Sequence, residues 1–292
     1  MQHTLAGSVR FSGTGIHSGT SVSVAVHPAA AGAGIVFHRT DRRGCDGRIP
    51  ALAARVCETR LGTTIGNDAG VTVSTIEHLM AAFAGLDIDN ATVEIDGPET
   101  PIMDGSSEPF VALLDGVGRE RQEARRRYIE VLRPIEVEEG GAGVRLTPAD
   151  GFELALDIAF DSPAIGRQSL DLALDEAAFR RELAPSRTFG FLEDVESLRA
   201  AGLARGGSLD NVVVIDRDTV VNPGGLRCVD EFVRHKALDA LGDLYLLGAP
   251  LVGRFEGNCS GHRLNNALAL ALLAAGDAWR WTSARQPLAK AV

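Results

Sequence analysis

Lysine is nearly absent from this 292-residue chain: only Lys236 and Lys290 occur, so 27 of its 29 cationic residues are arginine. Basic charge is short overall, because 39 acidic residues leave a formal net charge of −10. That balance excludes the broad basic footprint that nucleic acid or an anionic lipid surface requires, while a local cationic pocket for a small anion stays open. Cysteine is scarce, and Cys45, Cys57, Cys228 and Cys259 form no CxxC pair and no even spacing. A disulfide framework and a cysteine zinc site are therefore not expected, and a reducing cytoplasm is the expected location. The N-terminal "MQHTLAGSVRFSG" lacks the basic-then-apolar order of an export signal, and no run of about 18 apolar residues offers a membrane span. What is present is 45% hydrophobic residues, enough for a sizeable core in two domains or one large one.

Residues 1–60 read as short strands split by Gly-rich turns, with "SVSVAVHP" alternating and "GIVFHRT" following. "STIEHLMAAFAGL" (74–86) reads as a helix because Ile76, Leu79, Met80 and Phe83 recur at helical spacing, and Ser74 with Glu77 matches a capping box. A strand "NATVEID", a loop "GPETPIMDGSSE" and a short helix "PFVALLDGVG" come next. The charged "RERQEARRR" (119–127) is the candidate linker. Beyond it, strands are expected at "RYIEVL", "PIEVEE", "GVRLTP" and "FELALDIAF", helices at 174–183 and near 193–201, and a strand at "NVVVID". A helix over 230–247, ended by Gly248 and Pro250, and a final helix over 263–275 complete the pattern. Strands then helices in both halves hint at two related α+β layers.

The chemistry gathers in "FVRHKALDALGD" (232–243), where His235, Asp239 and Asp243 recur every four residues. Four residues advance a helix by about one turn, so these side chains share a face and His235 and Asp239 can reach one metal ion. Histidine and carboxylate without cysteine suit a catalytic zinc, given a third ligand from elsewhere. The plain alternative is a solvated helix face with a chance histidine. His78 is the candidate third ligand, since the first turn of its helix disfavours imidazolium and a metal needs the neutral ring. Adjacent Glu77 could take a proton from a water at the metal, although a capping box alone also explains a Glu there. Asp243, a turn past Asp239, suits an orienting partner. "CSGHRLNN" places His262 just before the last helix, where it needs a carboxylate such as Asp243 to stay protonated. Glu77 and His262 would then form an acid/base pair with separate duties, the alternative being an exposed loop histidine. Lys236 answers a demand for a compact ammonium in an arginine-dominated chain, or stands there by chance. "GTGIHSG" (13–19) lacks the strand–turn–helix context of a dinucleotide loop and reads as turn glycines, with His17 open. Residues 186–210 could line an apolar groove or cover a core.

These stretches, together with "PIMDGSS", "SRTFGF" and "RGGSLDN", resemble the UDP-3-O-acyl-N-acetylglucosamine deacetylases, the LpxC family of lipid A biosynthesis. The resemblance runs from "GTGIHSG" to the last helix. It implies a zinc amidohydrolase of the Gram-negative cytoplasm, with Fe2+ as the alternative metal, that removes acetate from UDP-3-O-(3-hydroxyacyl)-N-acetylglucosamine. It also implies two similar α+β domains, 1–122 and 128–280 with a tail over 281–292, each a sheet layered against helices with the active site in the cleft between. Carried over residue by residue, His78, His235 and Asp239 match the zinc ligands and Glu77 the general base. His262 matches the charged histidine that stabilises the oxyanion and protonates the leaving amine, supported by Asp243. Thr188 matches the hydrogen-bond donor to the tetrahedral intermediate, and Lys236 a lysine that serves the substrate phosphates. Phe189, Val195, Ala204, Gly207 and Ser208 would line the acyl passage. Phe160 matches the uridine-side Phe, but Ala159 stands where an Asp is expected before it, and Arg205 stands where an apolar residue is usual. The partner expected is the UDP-acyl-sugar, with no nucleic acid, no membrane span, a monomeric state and no appended dehydratase domain. Two rivals remain: a non-catalytic sugar-nucleotide binder of the same fold, and a zinc hydrolase of another acetylated sugar.

Overall fold

The computed structural model describes residues 1–42, 44 and 46–283; Cys45, Lys290 and the part of the expected tail over 284–292 lie outside the described residues. The chain is α+β. Among the described residues there are six α-helices: α1 (Glu77–Gly85), α2 (Glu108–Val117), α3 (Glu176–Ala178), α4 (Val195–Ala200), α5 (Glu231–Tyr245) and α6 (His262–Ala274).

A five-stranded sheet is ordered Val9–Thr14, Ser21–Pro28, Ala91–Ile95, Ile35–Arg39, Arg48–Pro50. The alternation in "SVSVAVHP" is the reason for its strand: Val22, Val24 and Val26 point inward and are buried, while the residues between them face outward. A seven-stranded sheet forms from residues between 128 and 282. Its hub is Leu251–Asn258, antiparallel to Ala142–Thr147 and parallel to Phe152–Ala159 and Tyr128–Val131. Helix α2 lies against Val9–Thr14, α5 against Phe152–Ala159 and Arg167–Ala173, and α6 against Ile135–Glu139 and Ala142–Thr147. Helices α1 and α5 pack along each other.

Several strands escaped the pattern reading, among them two in the larger sheet. Arg167–Ala173 carries no fully buried residue, so its alternation is muted, and Trp279–Thr282 gains its partner only from the distant Tyr128–Val131. The charged stretch after α2 is held at both ends rather than free. Arg119–Arg121 pairs with His3–Leu5, and buried Arg126 bonds Asp87 and, at 2.6 Å, Asp89. Helix α3 continues into a wider turn, with Ala184 N–H reaching back five residues to the Phe179 carbonyl at 2.8 Å.

Every residue of α5 except Arg234 and Lys236 is buried, so the solvated-face reading of its polar stripe fails. Burial on this scale follows from a close helix crossing. A Cβ on Gly242 would stand 2.1 Å from the Glu77 carbonyl oxygen, so only glycine lets α5 approach the first turn of α1. A second glycine, Gly85, leaves room at the far end of α1 for the Phe179 ring. Gly242→Ala should gain about 1 kcal/mol of helix propensity and lose more to the forced separation, for a net loss of ~2 kcal/mol. Thermal unfolding checks this; an unchanged or raised Tm would show that the crossing can relax.

Candidate active site

The chain enters α1 through Thr75, whose φ of 56° lies in the left-handed region. That bend turns Ser74 away from the helix: its N–H donates to the Pro98 carbonyl and its hydroxyl accepts from Thr64. The capping box expected from Ser74 and Glu77 is therefore not formed, and the helix starts at Glu77 itself. This frees the Glu77 carboxylate. It is buried, takes the Thr63 N–H on Oε2 at 2.9 Å, and has Oε1 4.0 Å from His262 Nε2. Burial pushes its pKa up, against the pull of His262 and His78.

His78, His235 and Asp239 are all buried, and one ligand atom from each lies within 4.8 Å of the others. Asp239 Oδ1 is 3.6 Å from His78 Nε2 and 3.4 Å from His235 Nε2. His235 Nδ1 lies 3.0 Å from the Ser186 carbonyl, which only accepts, so Nδ1 carries the proton and Nε2 offers a lone pair. Burial takes the His235 pKa down to about 4, so the ring stays neutral. His78 Nδ1 is buried and has no hydrogen-bond partner, while Nε2 faces Asp239, so Nε2 can offer its lone pair to a ligand. Two imidazole lone pairs and a carboxylate oxygen thus converge with no donor between them, and a divalent cation is the group that this set fits. Lys236 Nζ donates to the other Asp239 oxygen at 2.9 Å, and burial opposes the Asp239 charge less than His235 and Lys236 favour it.

One turn along α5, Asp243 accepts from His262 Nδ1 at 2.8 Å, from Thr63 Oγ1 at 2.6 Å and from Asn265 Nδ2 at 2.9 Å. His262 is the first residue of α6, where burial and the helix dipole both oppose a cation. The Asp243 charge and hydrogen bond outweigh burial and push the His262 pKa up to about 9.

The profile of the UDP-3-O-acyl N-acetylglycosamine deacetylases, LpxC, matches residues 2–274, a span that includes every residue of the constellation. The chain belongs to this family. It is 61% identical over 291 residues to the UDP-3-O-acyl-N-acetylglucosamine deacetylase of Phenylobacterium zucineum strain HLK1, covering 100% of this chain and 99% of that protein. The identity is 50% over 277 residues to the enzyme of that name from Neisseria meningitidis serogroup C strain FAM18, covering 94% and 90%. For that of Acidithiobacillus ferrooxidans strain ATCC 53993 it is 49% over 282 residues, covering 96% and 92%.

The other residues expected from the LpxC resemblance sit as follows. Thr188 is half-buried, its N–H on the Gly105 carbonyl at 2.8 Å and its own carbonyl taking Val213 N–H at 2.8 Å. Phe189 packs edge-on against Phe232 and Phe160, with ring centres 5.0 and 5.7 Å away, and lies 6.3 Å from the His235 ring. Val195 opens α4 half-buried, Gly207 is half-buried and Ser208 is exposed. Ala204, at φ 52°, directs its N–H to His17 Nδ1 at 3.4 Å. Arg205 is exposed, its N–H on the His17 carbonyl at 3.3 Å, and Ala159 is exposed at the end of its strand. His17 thus joins 204–205 to the Leu61 carbonyl, 2.9 Å from its Nε2, in the loop that supplies Thr63.

Thr63, Ser107, Ser186 and Asn265 went unremarked in the sequence. Asn265 had a signal, three residues after His262 on one helix. Ser107, whose hydroxyl donates to the His78 carbonyl at 2.6 Å, lay within the quoted "PIMDGSS". Ser186 opened the quoted "SRTFGF", but it acts through its main-chain carbonyl, and Thr63 acts through a main-chain group and a long-range contact and carried no signal. Asp243→Asn should remove the charge that holds His262 protonated, so burial dominates and its imidazole should titrate near or below the ordinary 6.5. Proton NMR of the ring reads this, and a midpoint still near 9 would refute the Asp243 assignment.

Proposed function

We propose that this chain is a divalent-metal amidohydrolase that removes the N-acetyl group of UDP-3-O-(3-hydroxyacyl)-N-acetylglucosamine, releasing acetate, in lipid A biosynthesis. One observation carries the reading: three convergent metal-ligand donors stand beside a buried Glu77 and a His262 held cationic, with these two groups 4.0 Å apart. Zn2+ is the metal proposed, since two histidines and a carboxylate suit it, with Fe2+ the alternative.

A metal held by His78, His235 and Asp239 supplies Lewis-acid polarisation of the amide carbonyl and acidifies a water. Glu77, its basicity raised by burial, takes the proton of the attacking water. The Thr63 N–H holds Glu77 Oε2, leaving Oε1 as the atom that receives it. As the carbonyl becomes tetrahedral, cationic His262 and the Thr188 hydroxyl stabilise the oxyanion, each such donor being worth about 3 kcal/mol. His262 then gives its proton to the amine nitrogen as the C–N bond breaks, and acetate leaves. Asp243 fixes the donating nitrogen by holding Nδ1, so Nε2 faces the reaction. Lys236 serves the substrate phosphates, Phe160 the uridine side, and Phe189, Val195, Ala204, Gly207 and Ser208 the acyl chain. The proposed division is an N-terminal domain over 1–122 and a C-terminal domain over 128–280, with the site between, in a monomeric cytoplasmic enzyme. No helix among the described residues is long and apolar enough to cross a membrane.

Acetate release from the UDP-acyl-sugar, with chelator and with metal restored, is the direct test; activity unaffected by a chelator that strips the metal would end the metal reading. His78→Ala and His235→Ala should lose bound metal and activity together, and one retained metal equivalent in both would refute the ligand assignment. Because the acid role needs imidazolium, kcat should fall as pH rises through about 9. His262→Ala should abolish that limb and lower kcat by about 10²–10⁴-fold; an unchanged profile would remove His262 from the acid role.

A further inference from the structure

Glu231, in the first turn of α5, has 0% of its surface exposed, yet it is a carboxylate with no place in the chemistry above. Its Oε1 accepts from the Arg187 backbone N–H at 3.0 Å and from Arg187 Nε at 2.8 Å. Its Oε2 accepts from Arg187 Nη2 at 3.1 Å and from the Arg227 backbone N–H at 2.7 Å. A buried ion pair contributes little net stability, because desolvation offsets the attraction, so stability alone does not explain it. The geometry offers another account. The Arg187 N–H and the Ser186 carbonyl belong to one peptide group. That carbonyl accepts from His235 Nδ1 at 3.0 Å, and His235 lies one helical turn beyond Glu231. A single face of α5 therefore grips both ends of one peptide plane.

We infer that Glu231 is a positioning residue that acts on His235 through the Ser186–Arg187 peptide, a carboxylate–peptide–histidine relay toward the metal. The inference rests on the ligand role proposed for His235. A carboxylate on the N–H polarises the peptide and makes its carbonyl a stronger acceptor, as hydrogen bonds in a chain reinforce one another. The stronger acceptor fixes the Nδ1–H tautomer, sets the ring plane and raises the basicity of Nε2, as a direct carboxylate partner does for a metal-bound histidine. The same grip places Thr188, the next residue, against the Gly105 carbonyl. Arg227 ties the segment a second time through the Pro185 carbonyl at 2.7 Å and Asp104 at 2.7 Å.

Glu231→Gln keeps the shape and removes the charge. In the full chain, Zn2+ affinity measured by chelator competition should weaken by about tenfold, the lower end for loss of an outer-sphere partner. In the same variant kcat should fall with KM within twofold, and the His235 Nδ1 proton resonance should move upfield. Arg187→Lys keeps the backbone N–H and the peptide relay, so it should hold metal affinity within threefold. Nitrogen NMR of the metal-free parent should show His235 as the Nδ1–H tautomer. An Nε2–H tautomer there overturns the relay even if Glu231→Gln fails to fold. Unchanged affinity in Glu231→Gln, or an equal loss in Arg187→Lys, overturns it as well. These metal and tautomer readings need no substrate, so a chain that binds Zn2+ but releases no acetate would refute the proposed activity and leave the relay standing.

Discussion

The approach of α5 to the first turn of α1 at Gly242 is the constraint on which the active site depends. Glu77 and His78 open one helix, and His235, Asp239 and Asp243 run down the other. Neither helix brings three donors to one point. With a Cβ at 242 meeting the Glu77 carbonyl at 2.1 Å, the two backbones would have to separate. Contacts of 3.4 and 3.6 Å at Asp239 Oδ1 would open with them. A close-packed interior transmits such a shift instead of absorbing it.

The crossing also separates two carboxylates on one helix into different electrostatic jobs. Asp239 faces two imidazoles and an ammonium, and its charge is available to a cation. Asp243, a turn away, receives three donors, among them the His262 ring that it keeps cationic. Thr63 joins this second group to Glu77, with its hydroxyl on Asp243 and its N–H on Glu77. Glu77 and Asp243-bound His262 are thus tied together by one loop residue while remaining 4.0 Å apart. Burial raises the Glu77 pKa against the pull of His262, and the Asp243 carboxylate raises that of His262.

Main-chain groups do much of the orienting. The Ser186 carbonyl sets which His235 nitrogen is bare, and the Gly105 carbonyl and Val213 N–H hold the Thr188 backbone. The turn at 15–19 rests on buried Glu99, which takes the N–H groups of His17 and Ser18 at 2.8 and 2.7 Å and the Thr75 hydroxyl at 2.9 Å. This explains the glycine at 15, where a Cβ would meet Glu99 Oε2 at 2.3 Å. The glycine-rich motif is a turn, and its histidine braces the loops around the site.

By itself the sequence indicated the α+β class, the helices and many of the strands, and the candidate site side chains. Periodicity and residue type are local properties, and they survive without knowledge of partners. The four-residue spacing on α5 placed His235 and Asp239 on one face. Their burial, and hence the choice between a ligand pair and a solvated stripe, was not local. Tertiary structure also overturned the capping box, since the bend at Thr75 comes from contacts with Pro98 and Glu99 that no short window contains. Thr63, Ser186 and Glu231 were decided there as well. Their function lies in a peptide group or a buried carboxylate meeting a residue far along the chain, and a side-chain pattern carries no record of where the main chain of another segment will pass.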